Sequence, residues 1–205
     1  MNKIIAAMAA ALIITMSLAA YSENIESDLQ SNLVRLHIIA NSDSEKDQNV
    51  KLKVRDAILE EEGKNLISQS EEECIINVKE RLPQIEETAN RILKENGFSY
   101  RARAVYGKFE FPKKEYKNMT LPCGEYYGVR IILGDGNGHN WWCVMYPPLC
   151  MMNDTEAVLS KKSEQILKEN LNPETYDIIT GNDKEIVVKF KIVEVIQELK
   201  QKLIK

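Results

Sequence analysis

A chain of 205 residues, 44% apolar and 28% charged, suits one domain with an appendage and is too apolar to be disordered throughout. Its net charge is −4, the acids are spread along the chain, and Lys and Arg form no stripe able to displace counterions, so nucleic-acid binding is excluded as its main role.

The first stretch, "MNKIIAAMAAALIITMSLAA", has a single early cation, Lys3, then an apolar run ending in small residues, with Ser17 and Ala19 in an A-x-A-like arrangement. This is the pattern of a secretory signal, and it is nearly long enough to stay as an anchor. Residues 1–22 are therefore read as a signal peptide or anchor. Residues 23–32 are polar and read as a spacer. A core domain is expected over 33–150 and a C-terminal helical extension over 151–205. No second stretch is apolar enough to span a bilayer, so the remainder is expected outside the cytoplasm.

From Leu33 the residues alternate. Val34, Leu36, Ile38 and Ala40 share one side of a strand; Leu33, Arg35, His37 and Ile39 share the other, which is mixed. "NSDS" at 41–44 follows and reads as a helix entry, with Ser44 and Asp47 at capping-box spacing and Asp43 an equal candidate for the cap. A helix over about 45–62 has Val50, Val54, Ala57 and Ile58 as its apolar stripe, an i,i+4 pair of Asp47 and Lys51, and Gly63 as its stop. A second helix over about 71–96 carries Ile75, Val78, Leu82, Ile85, Ala89 and Ile92, and Pro83 should kink or split it.

Strands follow at 99–111 and 125–133. "GDGNGHN" at 134–140 reads as a hairpin loop, and "WWCVMY" at 141–146 as the returning strand. The alternating glycines of that loop suit turns at positive φ better than a phosphate cradle, because strand-type residues rather than a helix come next. A modest helix around 155–171 and a terminal helix over 186–204, with Val188, Ile192, Val195, Leu199 and Leu203 as its apolar side, complete the chain. The order implies an α+β fold: a two-layer domain, a mostly antiparallel sheet covered by helices.

Candidate chemistry is sparse. Asp43, Asp47 and Asp56 are acids near one another, but negative charge at a helix start is favoured without catalysis. His37 and His139 are the only histidines, and neither has a partner at metal-ligand spacing. His37 beside Arg35 would make a cationic patch in mildly acidic conditions. Adjacent Trp141 and Trp142 must point to opposite faces of a strand, so one can enter the core while the other anchors a partner. Of four cysteines, Cys143 and Cys150 could close a small loop in an oxidising compartment, worth roughly 2.5 kcal/mol by chain entropy, or could remain buried thiols. No metal, cofactor or catalytic set is expected.

"RLHIIANSDSEKDQNVKLKVRDAIL" (35–59), "LPCGEYYGVRIILGDG" (121–136) and "GNGHNWWCVMYPPLC" (136–150) resemble the stage II sporulation protein R family of endospore-forming bacteria. The likeness covers residues 33–150, with Cys123 where the family pattern has a small residue. It implies a signalling protein made in the forespore and exported toward the space between the two compartments. There, the resemblance implies, it would activate a membrane-embedded aspartic protease that processes the precursor of a mother-cell sigma factor. The expected partner is the extracytoplasmic part of that protease, with transient membrane association through the N-terminal segment. The candidate contact residues are Arg35, His37, Asn41, Asp43, Asp47, Gln48, Lys51, Arg55, Trp141 and Trp142. An exported hydrolase using Asp43, Asp47 and His37, and a structural envelope protein, are the alternatives.

Overall fold

A computed structural model describes residues 2–66, 68, 70–116, 118–149, 161–181 and 184–204. In chain order the elements are α1 (Asn2–Gln30), β1 (Val34–Ile39), α2 (Glu45–Glu61), the single turn α3 (Gly63–Leu66), α4 (Glu71–Glu95) and β2 (Ala102–Phe111). Then come β3 (Lys114–Tyr116), β4 (Met119–Leu121), β5 (Gly124–Leu133), β6 (Asn140–Tyr146), α5 (Lys161–Asn170), α6 (Pro173–Thr180) and α7 (Lys184–Ile204).

The helix signals mostly work as read. Ser44 caps α2, its Oγ accepting from the Asp47 amide at 3.2 Å, and Val50, Val54, Ala57 and Ile58 are buried. Gly63 is not the stop: Glu62 is the C-cap and Gly63 opens α3. Ser70 caps α4 in the same way, and α4 runs unbroken through Pro83. Cys74 and Val78 before the proline and Ile85, Ala89 and Leu93 after it are all buried. Val78, Ile85 and Leu93 each contribute about 1.5–3 kcal/mol, which together outweighs the roughly 3 kcal/mol a mid-helix proline costs.

The sheet order is β2-β5-β1-β6, with β1 parallel to β5 and the other two pairings antiparallel. The expected hairpin between β5 and β6 is thus corrected: β1 lies between them, and residues 134–139 cross over its C-terminal end. The crossing is held by main-chain bonds from Asn137 to the Asn41 carbonyl (3.1 Å) and from Gly138 to the Ala40 carbonyl (2.9 Å). The Asp135 amide donates to Asn41 Oδ1 at 2.9 Å. A Cβ on Gly134, whose φ is +58°, would lie 2.1 Å from Asn41 Oδ1, and one on Gly138 would lie 2.2 Å from the Ser42 carbonyl. The glycines are therefore required by the close approach of "NSDS" to "GDGNG", as well as by turn geometry at Gly134 and Gly136.

The α+β class holds, and helices cover both faces of the sheet. One core joins Val34, Leu36, Ile38, Val129 and Ile131 to α2 and α4. A second core joins Leu33, Phe111, Tyr126 and Val144 to α1, α5, α6, α7 and the small hairpin β3–β4. Residues 23–30, read as a spacer, are helical. Ile25 and Leu29, one turn apart, are buried in the second core, an anchor hidden in a polar stretch. The rest of α1 is exposed from Lys3 to Leu18, and among the described residues it is the one helix long and apolar enough to cross a membrane. The terminal helix forms as expected but turns differently. Val193, Glu194 and Gln197 are buried, while Val195 and Leu199 of the expected apolar side are 52% and 53% exposed. Glu194 is drawn inward by its 3.0 Å pair with Lys113. Val158 and Leu159 of the modest helix expected before it lie outside the described residues.

Gly134→Ala should cost at least about 2 kcal/mol more in a urea titration than Gly97→Ala, because only the former adds a clash with Asn41 to the left-handed backbone penalty of about 1–2 kcal/mol. Gly97 is at φ +80° with nothing within 4 Å of an added Cβ. Equal losses would show that the crossing does not depend on Asn41. Leu29→Ala should lose about 2–5 kcal/mol in the same assay, as a core leucine does and a spacer residue does not.

Candidate functional site

The strand register arranges the second face of the sheet into rows. Gly107, Gly128, Arg35 and Val144 form one row across β2, β5, β1 and β6. Val105, Arg130, His37 and Trp142 form the next, and Arg103, Ile132, Ile39 and Asn140 the one nearest the crossing loop.

The first row is sealed. Arg35 is fully buried, its guanidinium 4.4 Å from the Phe111 ring centroid and 5.0 Å from that of Tyr126. Cation–π contacts reach about 2 kcal/mol when desolvated. The two glycines allow close approach: a Cβ on Gly128 would lie 2.5 Å from the Arg35 carbonyl oxygen and 3.1 Å from the Phe111 ring, and one on Gly107 would meet Phe109 at 3.3 Å.

The second row is the chemical centre. The His37 ring stacks on Trp142 at 3.6 Å with 20° between planes. Arg130 Nε donates to His37 Nδ1 at 3.1 Å, and His37 Nε2 lies 2.7 Å from Asn140 Oδ1. An arginine can only donate, so Nδ1 accepts and Nε2 carries the proton: a neutral imidazole in one tautomer. Burial pushes its pKa down to about 4; the Asn140 bond opposes this, and the charges of Arg130 and Arg35 reinforce it. The cationic patch expected from His37 in mild acid is corrected accordingly, and the positive charge at this row belongs to Arg130.

The third row and the outer part of the second are open. Arg103 and Asn140 are exposed, and Ile39, Ile132, Val105, Trp142 and Arg130 are half-buried. The Arg130 guanidinium lies 3.9 Å from the Phe109 ring centroid. Among the described residues no carboxylate comes within ion-pair distance of Arg103 or Arg130.

The other candidate residues lie elsewhere, most of them engaged within the fold. Asp47 accepts from Tyr100 Oη (2.5 Å), Ser42 Oγ (2.5 Å) and Asn41 Nδ2 (3.0 Å). Burial pushes its pKa up, but bonds from Ser42, Tyr100, Asn41 and Ser44 hold it below the usual carboxylate value. Lys51 is buried and donates to Gln48 Oε1 (2.6 Å) and the His139 carbonyl (3.0 Å), rather than to Asp47 as its spacing suggests. Gln48 in turn donates to the Ser42 carbonyl at 2.9 Å. Asp43 does not cap α2. Its Oδ1 accepts from the His139 amide (2.6 Å) and lies 2.5 Å from His139 Nδ1. Arg55 sits over Trp141 at 5.2 Å and bonds Asp56 at 2.8 Å, on the α2 side of the sheet.

The predicted contact set therefore divides. Arg35, His37 and Trp142 share the second face. Trp141, Arg55, Gln48, Lys51 and Asp47 belong to the first. Asn41 and Asp43 clamp the loop between them. His37 and Asp47, which a hydrolase would bring together, lie on opposite sides of the sheet with their polar atoms already bonded. The tryptophans do point to opposite faces, each half-buried. Cys143 is a buried free thiol, and Cys150 lies outside the described residues. Sequence reasoning missed Arg103 and Arg130. The signal was available: each is a cation alternating with apolar residues in a strand, as Arg35 is.

The chain matches the family model of stage II sporulation protein R over residues 30–156. A curated relative, stage II sporulation protein R of Bacillus subtilis (strain 168), is 34% identical over 194 residues, covering 87% of this chain and 86% of that protein. No solved structure matches.

His37 protonates near 6.5 when unfolded and near 4 when folded. Its contribution to stability is complete above about pH 6.5 and is lost as pH falls from there toward 4, up to about 3 kcal/mol in all. In urea titrations across that window His37→Gln should show a shallower loss than the unmodified protein. Identical slopes would mean that His37 is not held neutral.

Proposed function

The chain belongs to the stage II sporulation protein R family, and on that premise we propose that it is an exported sporulation signal that acts by docking. The partner is the extracytoplasmic part of a membrane-embedded aspartic protease. The meeting place is the space between forespore and mother cell, and the outcome is processing of a mother-cell sigma factor precursor. The apolar helix α1 supports export or anchoring. The residues that would serve a hydrolase are consumed in internal hydrogen bonds, which favours a binding role over an enzymatic one.

The observation that carries this reading is the half-open face of the sheet. It combines a rigid aromatic stack, half-buried apolar surface and two guanidiniums without counter-charge among the described residues. Rigid aromatics and arginine are the side chains that concentrate binding energy at interfaces. Activation then requires tighter binding to the active form of the protease than to the inactive form. Moving a 1:99 equilibrium to 99:1 takes about 10⁴-fold preference, about 5.5 kcal/mol.

Purified full-length protein, added to membranes that carry the protease and its precursor substrate, should trigger precursor cleavage that saturates with dose. The protein alone should leave the precursor intact. Cleavage that does not depend on added protein, or cleavage by the protein without the protease, would refute the proposal.

A further inference from the structure

The two open rows pose an electrostatic problem. Arg103 pairs with Ile132 and Arg130 with Val105, so the arginines are diagonal neighbours on one face. Such positions are about 7–8 Å apart, close enough for long side chains to meet. Like charges at that spacing repel, and burial lowers the pKa of Arg130, which means that the site disfavours its charge as it stands. The chain has acids in excess, 31 against 27 basic residues, yet among the described residues none approaches this pair.

Arg130 is also held in place. Its Nε is bonded to His37 Nδ1 and its plane lies over Phe109, so the donors left for a ligand are its Nη groups. That leaves a fork positioned to grip a planar acceptor, and guanidinium matches carboxylate geometry bidentately. Ile39, Ile132, Val105 and Trp142 surround it with half-buried apolar surface, which lowers the local dielectric and strengthens an ion pair formed there.

The position of the open rows selects the source of the acid. The docked end of α1 sits at the other end of the strands, where Lys108 Nζ donates to Gln30 Oε1 at 3.2 Å. Arg103 is five residues along β2 from Lys108, about 17 Å away. The open rows therefore lie away from the end of the domain that joins the protein's own membrane segment.

We propose that this open face receives a carboxylate of the protease's outer part, carried on an apolar-flanked segment, with Arg130 and Arg103 as the residues that bind it. The inference rests on the docking reading above and names the chemistry of its contact. His37 is a positioning residue: neutral, it accepts from Arg130 and fixes the guanidinium plane.

The test measures two quantities for each variant: co-purification with the protease from detergent-solubilised membranes, and the protein concentration for half-maximal precursor cleavage. Arg103 is exposed, so Arg103→Glu should fold, with a melting temperature near that of the unmodified protein; Arg103→Gln serves if it does not. Arg103→Glu should raise the half-maximal concentration at least about tenfold and reduce co-purification in step. Arg103→Lys should restore most of both. Arg130→Lys keeps the charge but lacks the fork, and should weaken both readouts while leaving the fold intact. Lys94→Glu, an equal charge change on exposed α4, should leave both within about twofold. Unaltered co-purification by folded Arg103→Glu and Arg130→Lys would overturn the proposal. So would Arg103-dependent binding to vesicles of anionic lipid without the protease, which would assign the site to a headgroup. If the unmodified protein co-purifies through Arg103 but triggers no cleavage, the acid contact stands and the activation reading falls.

Discussion

Asn41 holds the far end of β1 to the loop that crosses it, through its backbone carbonyl and its side-chain oxygen at once. β1 enters the sheet between two strands that follow one another in the chain, so the connection between them must pass over its end. That passage brings the loop backbone against the Asn41 side chain and the Ser42 carbonyl, which accounts for glycine at 134 and 138. The same clamp sets the start of α2 through Ser42, Ser44 and Asp47, and reaches Tyr100 just before β2. Once β1 is seated, the row register that brings Arg130, His37 and Trp142 side by side follows from strand geometry alone.

Local signals in the chain translated well into structure, and long-range ones did not. Alternation around Arg35, the Ser44 cap and the stripe of α2 depend on neighbours a few residues away, and each appeared as read. The insertion of β1 between β5 and β6 depends on pairings about 100 residues apart, and "GDGNGHN" carries the same turn residues in a hairpin as in a crossing loop. Arg35, on the mixed face of β1, reads as a candidate contact residue, but it buries its charge against two aromatic rings. Ile25 and Leu29 are too few to mark a docked helix inside a polar stretch. Arg130 went unnoticed because its significance lies in what the register sets beside it.

The two faces divide the work. On the α2 side, acids, amides and a buried lysine satisfy one another and keep the clamp rigid. On the other side the inner row is sealed by Phe111 and Tyr126, while the outer rows keep their guanidiniums open. A neutral histidine between arginines keeps one of them aimed without adding a third charge. On this face the His37 imidazole is bonded at both nitrogens, to Arg130 and to Asn140.

Site-directed photo-crosslinking tests the central claim most directly. A photoreactive side chain replacing Val105, between the two arginines on the open face, is compared with one replacing Glu87 on α4 across the sheet. Irradiation in membranes that contain the protease should join the protein to it from position 105 and not from position 87. Crosslinks from position 87 alone, or from neither position while the precursor is being cleaved, would contradict docking through this face.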